Sequence, residues 1–236
     1  AARGVGAVRA RSALLAAGLA AAALAGCGDD DDGPPAADPL PEQSELPGHG
    51  GTEEADPGDL DVPEIAGTTF APFPSLGFGI AVPQGWNATR LDDEALAELE
   101  DVRLAEPFFL DAARNVASTG ALFYAAGVDD EGRVAEIKVD LEEATTVEAV
   151  RTAAEAEVLA AGGTDVNVVE ADDGRVRIDF RLAQPSAEDG ETIDSYVSRL
   201  LVPDDDRVWS IVVTSEDAET QTAVLAVVDA GFVLAD

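Results

Sequence analysis

Val166-Asn167-Val168-Val169-Glu170, then Asp172-Asp173-Gly174, then Arg175-Val176-Arg177-Ile178-Asp179-Phe180-Arg181-Leu182: this stretch decides the fold. In the second arm, polar and apolar residues alternate with the two-residue period of a strand that buries one face. The Asp-Gly pair between the arms is a strong short-hairpin signal, because glycine accepts a positive φ without steric cost. A second hairpin follows, in which Ser195 to Val202 and Val208 to Thr214 flank Pro203-Asp204-Asp205-Asp206. Hairpins pair antiparallel, so two in succession predict a mostly antiparallel sheet.

Upstream of the first hairpin the pattern turns helical. Val147, Val150, Ala154, Val158 and Ala161 form an apolar stripe, and Gly162-Gly163 ends it. Thr145 with Glu148 three residues later has the spacing of a capping box. Before that helix, Val134 to Leu141 alternates, with Ile137, Val139 and Leu141 on one side and Glu136, Lys138 and Asp140 on the other. The turn Asp129-Asp130-Glu131-Gly132 joins it to a strand over Leu122-Phe123-Tyr124-Ala125. Leu91 to Leu99 and Glu106 to Ala117 have helical spacing, with Pro107 marking a helix start. Phe78 to Pro83 reads as a first strand that ends in a turn at Gly85-Trp86. A last helix is expected from about Asp217 to Ala230, with Val224, Leu225 and Val228 toward the core and Gly231 as its stop. Phe232, Val233 and Leu234 then return to the sheet. The fold class is α+β, a sheet of about six or seven strands packed with helices.

The run Phe78-Gly79-Ile80-Ala81-Val82-Pro83-Gln84-Gly85-Trp86 resembles the opening of the PsbP/Mog-like superfamily: an apolar strand, Val-Pro, then Gly-Trp. The closing hairpin through Trp209, the acid-capped helix and Phe232 are similar too. That superfamily includes the photosystem protein PsbP, the Ran-binding Mog proteins and actinobacterial lipoproteins of the LpqN type. The resemblance implies an α/β/α sandwich over nearly all of residues 70 to 236 and a role in binding or assembly. It implies no catalytic residue, since no catalytic signature belongs to it.

Three segments follow from composition: a signal peptide over 1–26, a tether over 27–66 and a globular domain over 67–236. Arg3, Arg9 and Arg11 precede an uncharged, alanine-rich run, Ala13 to Gly26, which is too short for a stable membrane span. The run closes on Leu24-Ala25-Gly26-Cys27, which resembles the lipobox of a bacterial lipoprotein. That resemblance implies a diacylglycerol on Cys27 and a mature protein anchored by lipid at the extracytoplasmic face of the cell membrane. Asp29 to Asp32 and repeated prolines after Cys27 have no apolar periodicity and read as a solvated spacer. About 40 residues of flexible chain have a root-mean-square span of roughly 35 Å.

Cys27 is the one cysteine and His49 the one histidine, and there is no methionine. Thiolate, zinc, copper and haem sites therefore lack ligands, and Ser-His-Asp or Cys-His catalysis has no histidine within the globular segment. No cofactor is expected beyond the lipid. With 48 acidic and 14 basic residues the formal charge is −34, a field that repels phosphate and disfavours nucleic acid. It repels anionic headgroups as well, so attachment to a membrane falls to the acyl chains.

Against that background Arg175, Arg177 and Arg181 share one side of a strand, and Lys138 and Arg199 fall on the polar sides of other strands expected in the same sheet. Two readings stand. One is a ladder of cross-strand ion pairs with Glu136, Asp140 and Asp179; the other is a basic sheet face that binds an anionic ligand or an acidic peptide. A further candidate is an apolar cleft between helix and sheet edge near Trp86, Phe108, Phe109 and Trp209. The expected function is a non-catalytic envelope lipoprotein that binds a protein, a lipid or a wall component. The alternative is a carboxylate-only hydrolase or transferase acting on envelope glycans.

Overall fold

The computed structural model describes residue 60 and residues 62–102, 107–128, 133–142, 146–185 and 192–235. The signal peptide with Leu24 to Cys27, almost all of the tether including His49, and the turn 129–132 lie outside the described residues.

Among the described residues, ten strands and four α-helices follow in the order β1 (Thr68–Phe73), β2 (Phe78–Pro83), β3 (Asn87–Arg90), α1 (Asp93–Val102), α2 (Pro107–Ala117), β4 (Phe123–Val128) and β5 (Val134–Glu142). Then come α3 (Val147–Ala160), β6 (Thr164–Glu170), β7 (Val176–Pro185), β8 (Thr192–Asp204), β9 (Arg207–Ser215), α4 (Ala218–Gly231) and β10 (Phe232–Leu234). Seven strands make one sheet in the order β3-β4-β5-β9-β8-β7-β6, antiparallel throughout. The expected α+β sandwich is therefore present, but the first apolar strand is not in its main sheet. β2 pairs antiparallel with β1 on one side and β10 on the other, forming a separate three-stranded sheet. The vacancy at the main sheet's edge is filled by β3, a four-residue strand with too little periodicity to announce itself.

Residues directly opposite one another in a ladder point to the same face, so the register defines two surfaces. On the front face, Phe123, Val139, Ile211 and Leu200 form one row across β4, β5, β9 and β8. This face packs against β2, β10 and α4, and Phe78, Ile80, Trp209, Val224, Leu225, Val228 and Phe232 complete its core. Phe78 sits at the centre of an aromatic cluster, 5.0 Å from the Trp209 ring and 5.5 Å from that of Phe232. Trp209 is fully buried, and its indole N–H donates to Asp204 Oδ2 at 3.0 Å, so no polar atom is stranded.

The back face carries two separate clusters. α3 lays Val150, Ala154 and Val158 on Ile178, Phe180, Val197 and Leu201. α2 lays Phe109, Ala113 and Val116 on Tyr124 and Ala126 at the other end of the sheet. Helices thus flank the middle of the back face.

Local signals behave as expected, with small shifts. The α3 cap is Thr146, whose hydroxyl accepts from the Ala149 amide at 3.2 Å; it replaces the expected box on Thr145, which lies outside the described residues. Glu148 pairs with Arg151. Gly174 takes φ 84° in the first hairpin. In the second, Asp204 already pairs with Arg207, so the turn is the Asp205-Asp206 pair rather than the four residues from Pro203. The ordered unit also begins before Gly67: Leu60 is buried.

Candidate functional site

The five basic residues expected on one sheet face are divided between two. Arg177 lies opposite Leu200, whereas Arg199 lies opposite Ile178 and Val212, and Val212 lies opposite Lys138. Arg177 and Arg181 are on the front face, where Arg175 also reaches α4, while Lys138 and Arg199 are on the back. The β7–β8 register sets this division, with Arg177 against Leu200 and Ile178 against Arg199, and one residue of slip would exchange the faces.

On the front face each arginine has a carboxylate. Arg177 Nε donates to Asp179 Oδ2 at 3.1 Å, Arg175 joins Asp229 of α4 at 3.0 Å, and Arg181 joins Asp165 at 3.2 Å and also Asp194. Arg181 additionally lies over the Tyr196 ring, 5.4 Å from its centre. Asp179 accepts from Ser198, which in turn accepts from Gln221 of α4. Of the three acids named for a cross-strand ladder, Asp179 pairs on this face, with Arg177 of its own strand, whereas Arg181 pairs across strands with Asp165 and Asp194.

On the back face, between the end of α2 and the end of α3, lies a groove of about 330 Å³. Its floor is sheet: Lys138, Asp140 and Glu142 from β5, Val212 from β9, Arg199 from β8 and Phe180 from β7. Glu157 and Val158 of α3 form one wall, and Thr119 and Gly120 form the other. Lys138 Nζ lies 3.0 Å from Asp140 Oδ2. Arg199 is clasped by Glu142, by Glu157 at 3.2 Å and by Ser210, which accepts from its Nε at 2.8 Å. The Arg199 side chain keeps only 16 % of its surface exposed.

Glu136, the remaining acid of the expected ladder, serves differently. It is buried beside Tyr124, whose hydroxyl donates to Glu136 Oε1 at 2.6 Å. Burial pushes the Glu136 carboxyl above its usual range; the Tyr124 hydrogen bond pulls it back in part and the Glu216 charge adds to the rise. Burial, followed by the Glu136 charge, also holds the Tyr124 phenol far above its ordinary range.

The predicted apolar cleft exists around one of its four aromatics. Trp86 lines a cleft of about 530 Å³ with Pro83, Gly127, Ala135 and the α4 residues Ala223, Val224 and Val227; Arg133, Asp217 and Glu219 also line it. The indole lies flat on Gly127, where a β-carbon would come within 2.3 Å of it. Arg133 pairs with Asp217 at 3.0 Å, and Asp217 also caps α4 by accepting from the Thr220 amide. That backbone hydrogen bond, with the Arg133 charge adding to it, holds the Asp217 carboxyl below the usual range. Trp209 belongs to the front core and Phe109 stacks on Tyr124 under α2, so neither reaches the cleft. The Phe108 side chain lies outside the described ones.

Among the described residues no group of three His, Cys, Asp or Glu side chains is arranged to hold a metal ion. No described helix is long and apolar enough to cross a membrane. No protein-family model matches the chain, and no curated protein is significantly similar to it.

Proposed function

We propose that this chain is a lipid-anchored, extracytoplasmic protein whose folded domain, PsbP/Mog-like in architecture, binds an envelope component without transforming it. The address rests on Leu24-Ala25-Gly26-Cys27 and the acidic spacer after it. The binding role rests on one observation: all five charged side chains lining the back-face groove are already paired with one another. Carboxylates held by Lys138 and Arg199 make a fixed surface of donors and acceptors, which suits recognition of a polar ligand. Glu136, whose carboxyl burial pushes above its usual range, sits against Tyr124 and does not line the groove.

The test has two arms in cells of the source organism. Metabolic labelling with an alkyne-tagged fatty acid should mark the wild-type protein and leave it with the membranes, whereas Cys27→Ser should lose both label and membrane attachment. Photo-crosslinking from the domain surface should then capture an envelope component from the wild type. A Cys27→Ser protein that is still acylated would sink the anchor. Turnover of the captured component by the purified domain would sink the non-catalytic reading.

A further inference from the structure

The back-face groove has a charge pattern that selects a class of ligand. Two cations and three carboxylates line it, and each touches an opposite charge. An anion entering the groove meets Asp140, Glu142 and Glu157; a cation meets Lys138 and Arg199. Either must displace an existing partner to be satisfied. A neutral ligand bearing hydroxyls needs no such exchange. Ion-paired groups keep unused hydrogen-bonding capacity: Lys138 has three N–H donors and contacts one carboxylate, and each carboxylate has lone pairs left over. Donors and acceptors in adjacent positions match a hydroxyl, which both donates and accepts.

Stability does not account for this network. Partly buried ion pairs are worth no more than well-packed apolar residues of similar size, because desolvation offsets their attraction. Apolar side chains fill adjoining positions on the same face, with Ile178, Leu201 and Val212 beside Arg199. Yet Lys138, Asp140, Glu142 and Arg199 stand where the two helices leave the sheet uncovered. Their side chains are only 28 %, 17 %, 32 % and 16 % exposed, so they are held in place rather than swept by solvent. Val158, Phe180 and Val212 add an apolar lining against which C–H groups can rest. The volume of about 330 Å³ falls at the small end of ligand sites, the range of one or two sugar rings.

We propose that the groove between the ends of α2 and α3 binds an uncharged, polyhydroxylated ligand, a short segment of a neutral glycan. This rests on the reading of the domain as an extracytoplasmic binder. Lys138 contacts the ligand hydroxyls directly, and Arg199 is a positioning residue that holds Glu142 and Glu157.

Lys138 is the sole lysine of the chain, so ¹⁵N-lysine labelling reports the groove through a single amide resonance. Three oligosaccharides of equal length serve as probes: chitotetraose, which is neutral; its fully deacetylated, cationic counterpart; and an anionic hyaluronate tetramer. Chitotetraose at about 10 mM should shift the Lys138 signal saturably, and the two charged probes should bind at least about tenfold more weakly. Lys138→Met should weaken chitotetraose binding about tenfold, as loss of a direct hydrogen bond does, and should lower the melting temperature because Asp140 loses its partner. Thr119→Val, on the far wall, gives a second variant that leaves the ion pairs intact, and it should weaken binding less. Equal or tighter binding of either charged probe, or no shift with any probe, would overturn the proposal. New reducing ends in the chitotetraose sample would leave the groove a glycan site and remove only the non-catalytic reading.

Discussion

Glu136 is a carboxyl group that the fold would rather keep protonated. Its neighbours are the Tyr124 hydroxyl, 2.6 Å away, and the Glu216 charge. Because its folded titration lies above the unfolded one, the native state binds more protons than the unfolded chain in the interval between them. Stability from this group is therefore present at low pH and declines as pH rises through that interval. Glu136→Gln keeps an oxygen that accepts from Tyr124 and removes the buried charge. The variant should gain on the wild type as pH rises from about 4 to about 8, as read by urea unfolding at both ends. A difference that does not change with pH would show that Glu136 ionises in the folded protein as freely as it does in the unfolded chain.

At the scale of elements, the hairpins and the long helices were legible because their signals are local. The Asp-Gly turn, the two-residue alternation of β7 and the apolar stripe of α3 each lie within fifteen residues. What escaped was non-local. Phe78 to Val82 is buried on both sides, and a continuous apolar run says that a strand is interior without saying which sheet holds it. Placing Lys138 and Arg199 failed for a related reason, since the parity of one strand against the next depends on register rather than on either sequence alone. The paired groove was equally invisible, because its five charged residues come from three elements, β5, α3 and β8. The Trp86 cleft was half-read: Gly-Trp announced an aromatic turn, but Gly127, the bare backbone that receives the indole, is 41 positions away. Gly127→Ala should drive the indole off β4 at a cost of about 1–3 kcal/mol, the usual effect of overpacking. Trp209 is fully buried, so acrylamide reports mainly on Trp86, and its quenching should rise in the variant. Unchanged quenching with unchanged stability would mean that the indole does not rest on that strand.

The whole molecule carries a formal charge of −34, and many of its arginines are already committed to carboxylates. Exposed pairs of this kind contribute about 0–1 kcal/mol each, and salt weakens them. Repulsion among the excess acids is long-ranged and salt weakens that more. Raising ionic strength from 0.01 M to 1 M shortens the screening length from about 30 Å to about 3 Å. The melting temperature should therefore rise with sodium chloride, in the manner of a protein suited to high salt. A melting temperature that falls over the same range would mean that the ion pairs outweigh the repulsion.

β10 consists of Phe232, Val233 and Leu234, and it pairs with β2 near the opposite end of the domain sequence. Phe232 also stacks on Phe78, at the centre of the front core. During synthesis β10 is made after every other described strand of the domain. Until then the aromatic cluster stays open on one side and β2 has only one neighbour. Closure of the core thus waits on a segment that follows every other described strand, so the aromatic cluster and the three-stranded sheet complete together when β10 joins β2.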